Sequence, residues 1–357
     1  MVKLKTEIGE GLVKVLADAH GETWSAYQAD CVDFTRQMPE NSVHLSIYSP
    51  PFANLYIYGD SVSDMGNCDD DKEFFEQYKF LVQQMHRITK PGRVSCVHCK
   101  NLVNYKGRDG MAGLRDFRGD IIRLHTDAGF AYHSEVVIWK DPVIEMQRTK
   151  AHGLLYKQLR ADGTFSRQGM PEYILTFRKW ADEEQDALFA LESKIAKKAL
   201  REPDATIRDE MLEEPEEPED ILEAITKSPS KPSGIIPVTH TRDGFPLEQW
   251  QRWASPVWTD IRQTNVLNCK EARDGNDEKH ICPLQLDVIE RCCVLWSNEG
   301  ETIFSPFMGI GSEGYQAIKY RRKFLGTELK KSYFDSAVAY LTRAQAESAT
   351  LFDGMML

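Results

Sequence analysis

No uninterrupted apolar run in this 357-residue chain approaches the roughly 18–20 residues that a membrane span requires. The opening MVKLKTEIGE lacks the apolar stretch of a secretory signal. Eight cysteines are too few over this length for a disulfide scaffold, so reduced thiols and a cytoplasmic setting are expected. An excess of positive charge is lacking too: 44 Lys and Arg face 55 Asp and Glu, a formal net charge of −11. That figure would argue against a polyanionic partner if it were evenly spread. It is not. Residues 182–226 hold sixteen acids and five bases, and the rest of the chain is balanced at 39 of each sign. What the sequence does have is 41% hydrophobic and 10% aromatic residues, enough for a sizeable core and against global disorder.

The acidic stretch divides the chain. ADEEQDALFALESKIAKKALRE (181–202) spaces Leu188, Leu191, Ile195 and Leu200 as an exposed helix would. EEPEEPED (213–220) and SPSKPSG (228–234) carry too many prolines and like charges to fold alone, and predict a flexible insert. Before the insert, VHLSIY (43–48) suits a buried strand, and RVSCVHC (93–99), AYHSEVVIW (131–139) and EYILTF (172–177) suit further strands. Helices are expected over 72–89, closed by Pro91-Gly92, and over 120–129. After it come a helix (283–296), a strand (301–307), a helix (312–320), a strand (322–329) and a final helix (332–344). This alternation predicts an α/β fold with a mostly parallel sheet covered by helices.

Two clusters carry chemistry. SPFMGIGSEG (305–314) lies between a strand and a helix, with Gly309 and Gly311 where backbone can approach a ligand and a helix N-terminus beyond. Glu328 ends the next strand, seventeen residues past Gly311, suitably placed for two ribose hydroxyls. The literal G-x-G-x-x-G of 309–314 keeps a nicotinamide enzyme open, although too little chain follows for the second half of a dinucleotide fold. The second cluster, Ser49-Pro50-Pro51-Phe52, follows the strand 43–48. Its prolines fix an extended loop at a strand's carboxyl end. The Ser49 hydroxyl, the Pro50 carbonyl and the flat ring of Phe52 suit an amino-bearing heterocycle.

Together these clusters resemble the amino-group DNA methyltransferases, enzymes that use S-adenosyl-L-methionine to make N4-methylcytosine or N6-methyladenine. The resemblance runs from about Tyr27 to Arg343 outside the insert. ADCVDFTRQMPENSVHLSIYSPPF (29–52) is similar to the segment ending in the family's (D/N/S)-P-P-(Y/F) motif, and FFEQYKFLVQQMHRITKPGR (74–93) to the family's next helix and turn. YHSEVVIWKDP (132–142), MPEYILTFRK (170–179), WTDI (258–261), the run from His280 to Gly314 and RRKFLGTELKKSYFDSAVAYL (321–341) resemble later segments in order. With the catalytic motif first and the cofactor loop last, the order is the circularly permuted one of the β group. The resemblance implies a Rossmann-like methyltransferase fold with a seven-stranded, mostly parallel sheet. Its expected divisions are a catalytic half (25–180), the acidic insert (181–234), and a cofactor-binding half (258–345), with DNA-recognition segments at 143–170 and 235–257.

By the same resemblance, Ser49, Pro50, Pro51 and Phe52 are catalytic. Ser49 and Pro50 accept the target amine's two N–H bonds and Phe52 stacks on a flipped base. The cofactor would lie against Phe304, Ser305, Pro306, Phe307, Gly309, Gly311 and Ser312, with Glu328 on its ribose. Asp30 and Cys31 would read its adenine, and His280 and Pro283 would lie close. Asp30 has an alternative as a helix N-cap. The family usually has Asp where Ser305 stands, so a charge-assisted contact is missing. A serine at position 49 favours cytosine N4 slightly over adenine N6.

Basic residues on loops after strands, Lys106, Arg108, Arg115, Arg118, Arg148, Lys150, Lys157, Arg160 and Arg167, with Tyr156 and Phe165 interleaved, are candidate contacts to double-stranded DNA. Trp250, Trp253 and Trp258 are core candidates as much as recognition ones. Cys96-Val97-His98-Cys99 looks like half a metal site, but no second C-x-x-C exists, so no metal is expected. Cys292-Cys293 fits a core. The family implies a prokaryotic or phage-infected host cytoplasm, no membrane, and a cognate restriction endonuclease as a candidate partner. Methylation of RNA or a small molecule, and a non-catalytic DNA-binding relative, remain alternatives.

Overall fold

The computed structural model describes residues 14–51, 71–104, 106–149, 154–180, 245–268 and 283–353. Its elements, in chain order, begin with β1 (Ala17–His20), β2 (Trp24–Gln28), α1 (Cys31–Gln37), β3 (Val43–Tyr48), α2 (Asp71–Ile88) and β4 (Thr89–Cys99). A small hairpin of β5 (Leu102–Asn104) and β6 (Gly113–Arg115) brackets α3 (Lys106–Asp109). Then come α4 (Phe117–Asp127), β7 (Ala131–Ile138), α5 (Pro142–Thr149), α6 (Tyr156–Ala161) and β8 (Glu172–Arg178). Beyond the acidic stretch of the sequence follow α7 (Leu247–Trp253), β9 (Val257–Trp258), α8 (Leu286–Trp296), β10 (Thr302–Ser305), α9 (Ser312–Lys319), β11 (Lys323–Glu328) and α10 (Lys331–Asp353). The chain forms two compact units, residues 1–180 with 252–357, and residues 181–251. The helix expected at 181–202 lies outside the described residues.

One sheet organises the first unit, in the order β1-β2-β11-β10-β3-β4-β8-β7-β9. From β2 to β4 every neighbour is parallel, while β8 runs antiparallel to both β4 and β7. The seven strands expected are therefore the contiguous β2 to β7. They are extended by antiparallel β1 at one edge and two-residue β9 at the other; β1 lacks a large apolar residue and β9 is too short, so neither shows in the sequence.

The strands alternate between two apolar layers, as period-two side chains must. Ile47, Cys96, Ile174, Ile303 and Phe324 face a core completed by α8, α9 and α10. Tyr48, Val97, Leu175, Phe304 and Leu325 face the other, completed by α1, α2 and α4. Burial on both faces explains why these strands read as continuous apolar runs. It also separates Cys96 from Cys99, which lie in different layers, so the C-x-x-C pair does not share a face. Cys292 and Cys293 are fully buried on α8.

The crossovers position the site. From β10 the chain returns through α9 on one face, and from β3 through α2 on the other. Adjacent strands whose crossovers leave on opposite faces open a crevice at their carboxyl ends, where ligands of such sheets bind. The segments Ser49–Pro51 and Ser305–Gly311 emerge there, side by side.

Candidate active site

The loop after β10 is held by backbone. Met308 N–H donates to the Thr327 carbonyl at 3.0 Å, Gly311 N–H to Met308 at 2.7 Å, and the Thr327 hydroxyl to the Pro306 carbonyl at 2.8 Å. Gly311 caps α9 at φ +89°, a left-handed conformation that side chains resist. A Cβ there would stand 3.1 Å from the Cα and Cβ of Ala337. The Glu328 carboxylate spans two amides, accepting from Gly309 N–H at 3.0 Å and Lys330 N–H at 2.9 Å. It thus ties the loop to the end of β11. Phe304, Ser305, Pro306 and Ser312 are buried, and Phe307 and Gly309 partly exposed. The hydroxyls of Ser305 and Ser312 are buried without a partner among the described residues. Glu313, beside them at the start of α9, is buried, and burial pushes its pKa up to about 8 against its own backbone amide, with Glu328 adding repulsion.

Asp30 is the N-cap of α1, accepting from the Val32 and Asp33 amides at 2.9 Å each. Capping does not remove it from the crevice. Ala29 N–H donates to the Glu328 carbonyl at 3.1 Å, so the β2–α1 junction abuts the end of β11. Burial first, then Asp30 and Glu328, raise the Cys31 thiol well above its usual range. Burial also raises Asp30. Pro283 leads into α8 and is partly buried; His280 lies outside the described residues, as does Phe52.

Across the crevice, Pro50 is buried and Ser49 and Pro51 partly so. Tyr48, the last residue of β3, faces Phe307 of the other loop with ring centroids 6.1 Å apart. A buried aromatic set supports Tyr48 from behind. Its hydroxyl lies 3.2 Å from His125 Nε2 and accepts from the Tyr78 hydroxyl at 3.2 Å. His125 Nδ1 meets the Ile121 carbonyl at 2.8 Å, its ring stacks on Phe177 at 4.0 Å, and burial lowers its pKa to about 4.

The Ser49 hydroxyl donates to the His98 carbonyl at 3.2 Å and lies 3.3 Å from His98 Nδ1. His98 Nε2 lies 3.3 Å from Glu172 Oε2, which also receives Lys140 Nζ at 2.6 Å. All three of these side chains are buried. Burial works against the Glu172 charge, but His98 and Lys140 outweigh it and hold the carboxyl well below the usual range. Sequence reasoning missed this chain. Glu172 and Lys140 appear only inside strand segments, and His98 only beside cysteines. The available signal was a polar or ionisable residue at or just beyond one end of each of three strands.

The expected DNA contacts are placed unevenly. Lys157 and Arg160 project from α6 into solvent, and Tyr156 and Phe165 beside them are 75% and 70% exposed. Arg167 and Arg115 are half-buried. Arg118 is no open loop charge: it pairs with Glu135 and lies 5.1 Å over the Tyr173 ring. The side chains of Arg108 and Arg148, and all of Lys150, lie outside the described residues. Trp253 and Trp258 are core, sandwiching the Arg291 guanidinium at 5.4 and 5.0 Å, whereas Trp250 is exposed. No helix among the described residues is long and apolar enough to cross a membrane.

Several known proteins are similar to this chain. A 42-residue stretch is 50% identical to the orphan methyltransferase M.BamHII of Bacillus amyloliquefaciens, covering 12% of this chain and 16% of that protein. Among solved structures, a putative DNA modification methylase from Thermus thermophilus complexed with S-adenosyl-L-methionine matches 88% of this chain and 93% of its own. Its TM-score is 0.53 at 17% identity. The PvuII DNA methyltransferase, cytosine-N4-specific, matches 91% of this chain and 92% of its own, with a TM-score of 0.51 at 14% identity. Both likenesses establish the fold. The N6/N4 methyltransferase family described as DNA methylase matches residues 43–339. Since that match runs from β3 through both motifs into α10, this chain belongs to the DNA methylase family.

Proposed function

We propose that the protein transfers a methyl group from S-adenosyl-L-methionine to the exocyclic amine of a base flipped out of double-stranded DNA. One observation carries the reading: the Ser49-Pro50-Pro51 turn and the glycine loop of β10 face each other across the crevice, bridged by Tyr48 and Phe307 at 6.1 Å. The loop fits the cofactor. Two buried hydroxyls, Ser305 and Ser312, lack partners among the described residues, and such groups call for a bound acceptor or donor. Glu328, the loop residues Phe304 to Ser312, and Asp30 with Cys31 would hold the ribose, methionine and adenine portions, and Pro283 and His280 would flank them. When bound, the cofactor supplies an electrophilic methyl group on sulfonium.

The chain's own part is positioning and electrostatics. An exocyclic amine is a poor nucleophile because its lone pair conjugates with the ring. The Ser49 hydroxyl and Pro50 carbonyl accept its two N–H bonds, which favours a pyramidal nitrogen with its lone pair free. Phe52 stacks on the base. The amine is shielded in a duplex, so the base is extruded. Lys157 and Arg160, flanked by the exposed rings of Tyr156 and Phe165, suit phosphate contact and partial stacking in the 143–170 segment. Residues 181–234 are an insert between a catalytic half (25–180) and a cofactor half (258–345), and 235–257 is a second recognition candidate.

Serine at position 49 favours cytosine N4 over adenine N6. Incubation with labelled S-adenosyl-L-methionine and unmethylated duplex DNA should transfer label, and nucleoside mass spectrometry should find N4-methylcytosine. N6-methyladenine alone would reverse the base preference. Cofactor binding with no label on any DNA would defeat the reading.

A further inference from the structure

Ser49 is the exposed end of a line of four polar side chains that crosses the carboxyl edge of the sheet. The line runs from β3 to β4, β8 and β7: Ser49, His98, Glu172, Lys140. Buried charges are costly to keep. Three buried polar side chains in sequence, each bonded to the next, therefore call for a reason beyond stability, and the one partly exposed end points to it.

We infer that this line fixes the direction of the Ser49 hydroxyl and receives, through it, the proton that the target amine loses on methylation. The inference rests on the methyltransferase reading above and extends it. His98 and Glu172 act through Ser49 and are positioning residues; of this line, Ser49 alone touches the amine.

The protonation states follow from the contacts. Glu172 is ionised and faces Nε2, so Nε2 carries the ring's proton and Nδ1 of the neutral ring is bare. The Ser49 hydroxyl then has two inward acceptors, Nδ1 at 3.3 Å and the His98 carbonyl at 3.2 Å. Either choice turns its hydrogen inward and leaves its lone pairs for an amine. Once the methyl group is on the target nitrogen, that nitrogen carries a positive charge and must lose a proton. Its N–H bond breaks toward Ser49 Oγ as the Ser49 hydroxyl proton passes to Nδ1. The product amine is neutral, Ser49 is again a hydroxyl, and the ring is an imidazolium whose two N–H groups face Ser49 and Glu172. Nδ1–H now donates to Ser49 Oγ, and the hydrogen that Ser49 took from the amine turns to the His98 carbonyl. The second acceptor is what lets the hydroxyl stay inward in both ring states. The proton leaves to solvent when the product departs.

The titratable or charged groups bonded along the line are Glu172 from β8, and Lys140 beyond it at the end of β7. The carboxylate stands opposite the imidazolium formed in the step, and Lys140 pairs with the same carboxylate.

The test begins with wild-type protein carrying nitrogen-15 histidine. Comparison with His98→Gln identifies the His98 resonances, which should show the neutral ring with Nε2 protonated and Nδ1 bare. A ring with its proton on Nδ1 would overturn the inference. This measurement needs no substrate, so it stands even if transfer to DNA is never found, which would defeat only the functional reading. With an active enzyme, wild-type kcat should fall on the acid side through a single ionisation. His98→Gln should lower kcat about a hundredfold and abolish that limb, with KM for S-adenosyl-L-methionine unchanged. Glu172→Gln, which removes the carboxylate facing Nε2, should also lower kcat. Circular dichroism checks that both variants fold. A His98→Gln enzyme with wild-type kcat, or with an intact acid limb, would overturn the inference.

Discussion

Glu313→Gln offers a prediction whose size follows from the structure. Glu313 stands in the first turn of α9, buried. Burial first, against the pull of its own backbone amide, and then the negative Glu328 push its pKa up to about 8 from the ordinary 4.5. Between those two pH values the folded protein holds a proton that the unfolded chain has released. Stability must therefore fall as pH rises through the window, and the whole loss is present above about pH 8. The gap of about 3.5 pH units, at about 1.4 kcal/mol each, gives a penalty of roughly 5 kcal/mol in the alkaline limit. Glutamine is neutral in both states and carries no such penalty. Urea denaturation of both proteins at about pH 5, 7 and 9 measures it. The variant should match wild type within about 1 kcal/mol at the acid end and exceed it by several kcal/mol at the alkaline end. Curves that keep a constant separation across that range would refute the reasoning.

Three other outcomes are expected. Gly311→Ala places a Cβ 3.1 Å from the Cα and Cβ of Ala337 at φ +89°, so it should cost about 1–2 kcal/mol for conformation alone. Calorimetry should show S-adenosyl-L-methionine affinity falling more steeply than stability, because the strain sits in the loop. Ser305→Asp restores a charge-assisted partner beside the loop and should tighten S-adenosyl-L-methionine binding about tenfold by the same measurement; weaker binding would refute a cationic contact there. Lys157→Ala with Arg160→Ala should weaken duplex binding and reduce the slope of log affinity against log salt by roughly two. An unchanged slope would remove α6 from the DNA contact.

Legibility in the sequence followed physical range. Strands buried on both faces are continuous apolar runs, so β3, β4, β8, β10 and β11 could be read directly, and β7 from its apolar end at Val136–Ile138. The glycine loop and the Ser-Pro-Pro turn were legible because each is a local conformation with local residue demands. Short edge elements were not: β9 is two residues whose pairing depends on β7, and β1 alternates without a large apolar residue. Asp30 shows a different limit. The sequence offered capping and ligand contact as alternatives, yet the structure has it cap α1 at the very junction that meets β11. A cap can occupy the site because a helix N-terminus and a strand end meet at this edge.

The polar line behind Ser49 was invisible for a topological reason. Its members are separated by 49 and 74 residues along the chain, and no spacing rule connects them. What brings them together is the reversed direction of β8. Had β8 run parallel to its neighbours, Glu172 as its first residue would lie at the amino edge, a strand's length from His98. Running antiparallel, β8 starts beside the ends of β4 and β7, with Glu172 opposite Ile138 and Tyr173 opposite Cys99. The same reversal lets Lys140, two residues past the end of β7, reach that carboxylate. An antiparallel strand in an otherwise parallel sheet thus brings an acidic residue to the ligand-binding edge from its first position. In this protein that residue stands behind the Ser-Pro-Pro turn that we propose faces the substrate.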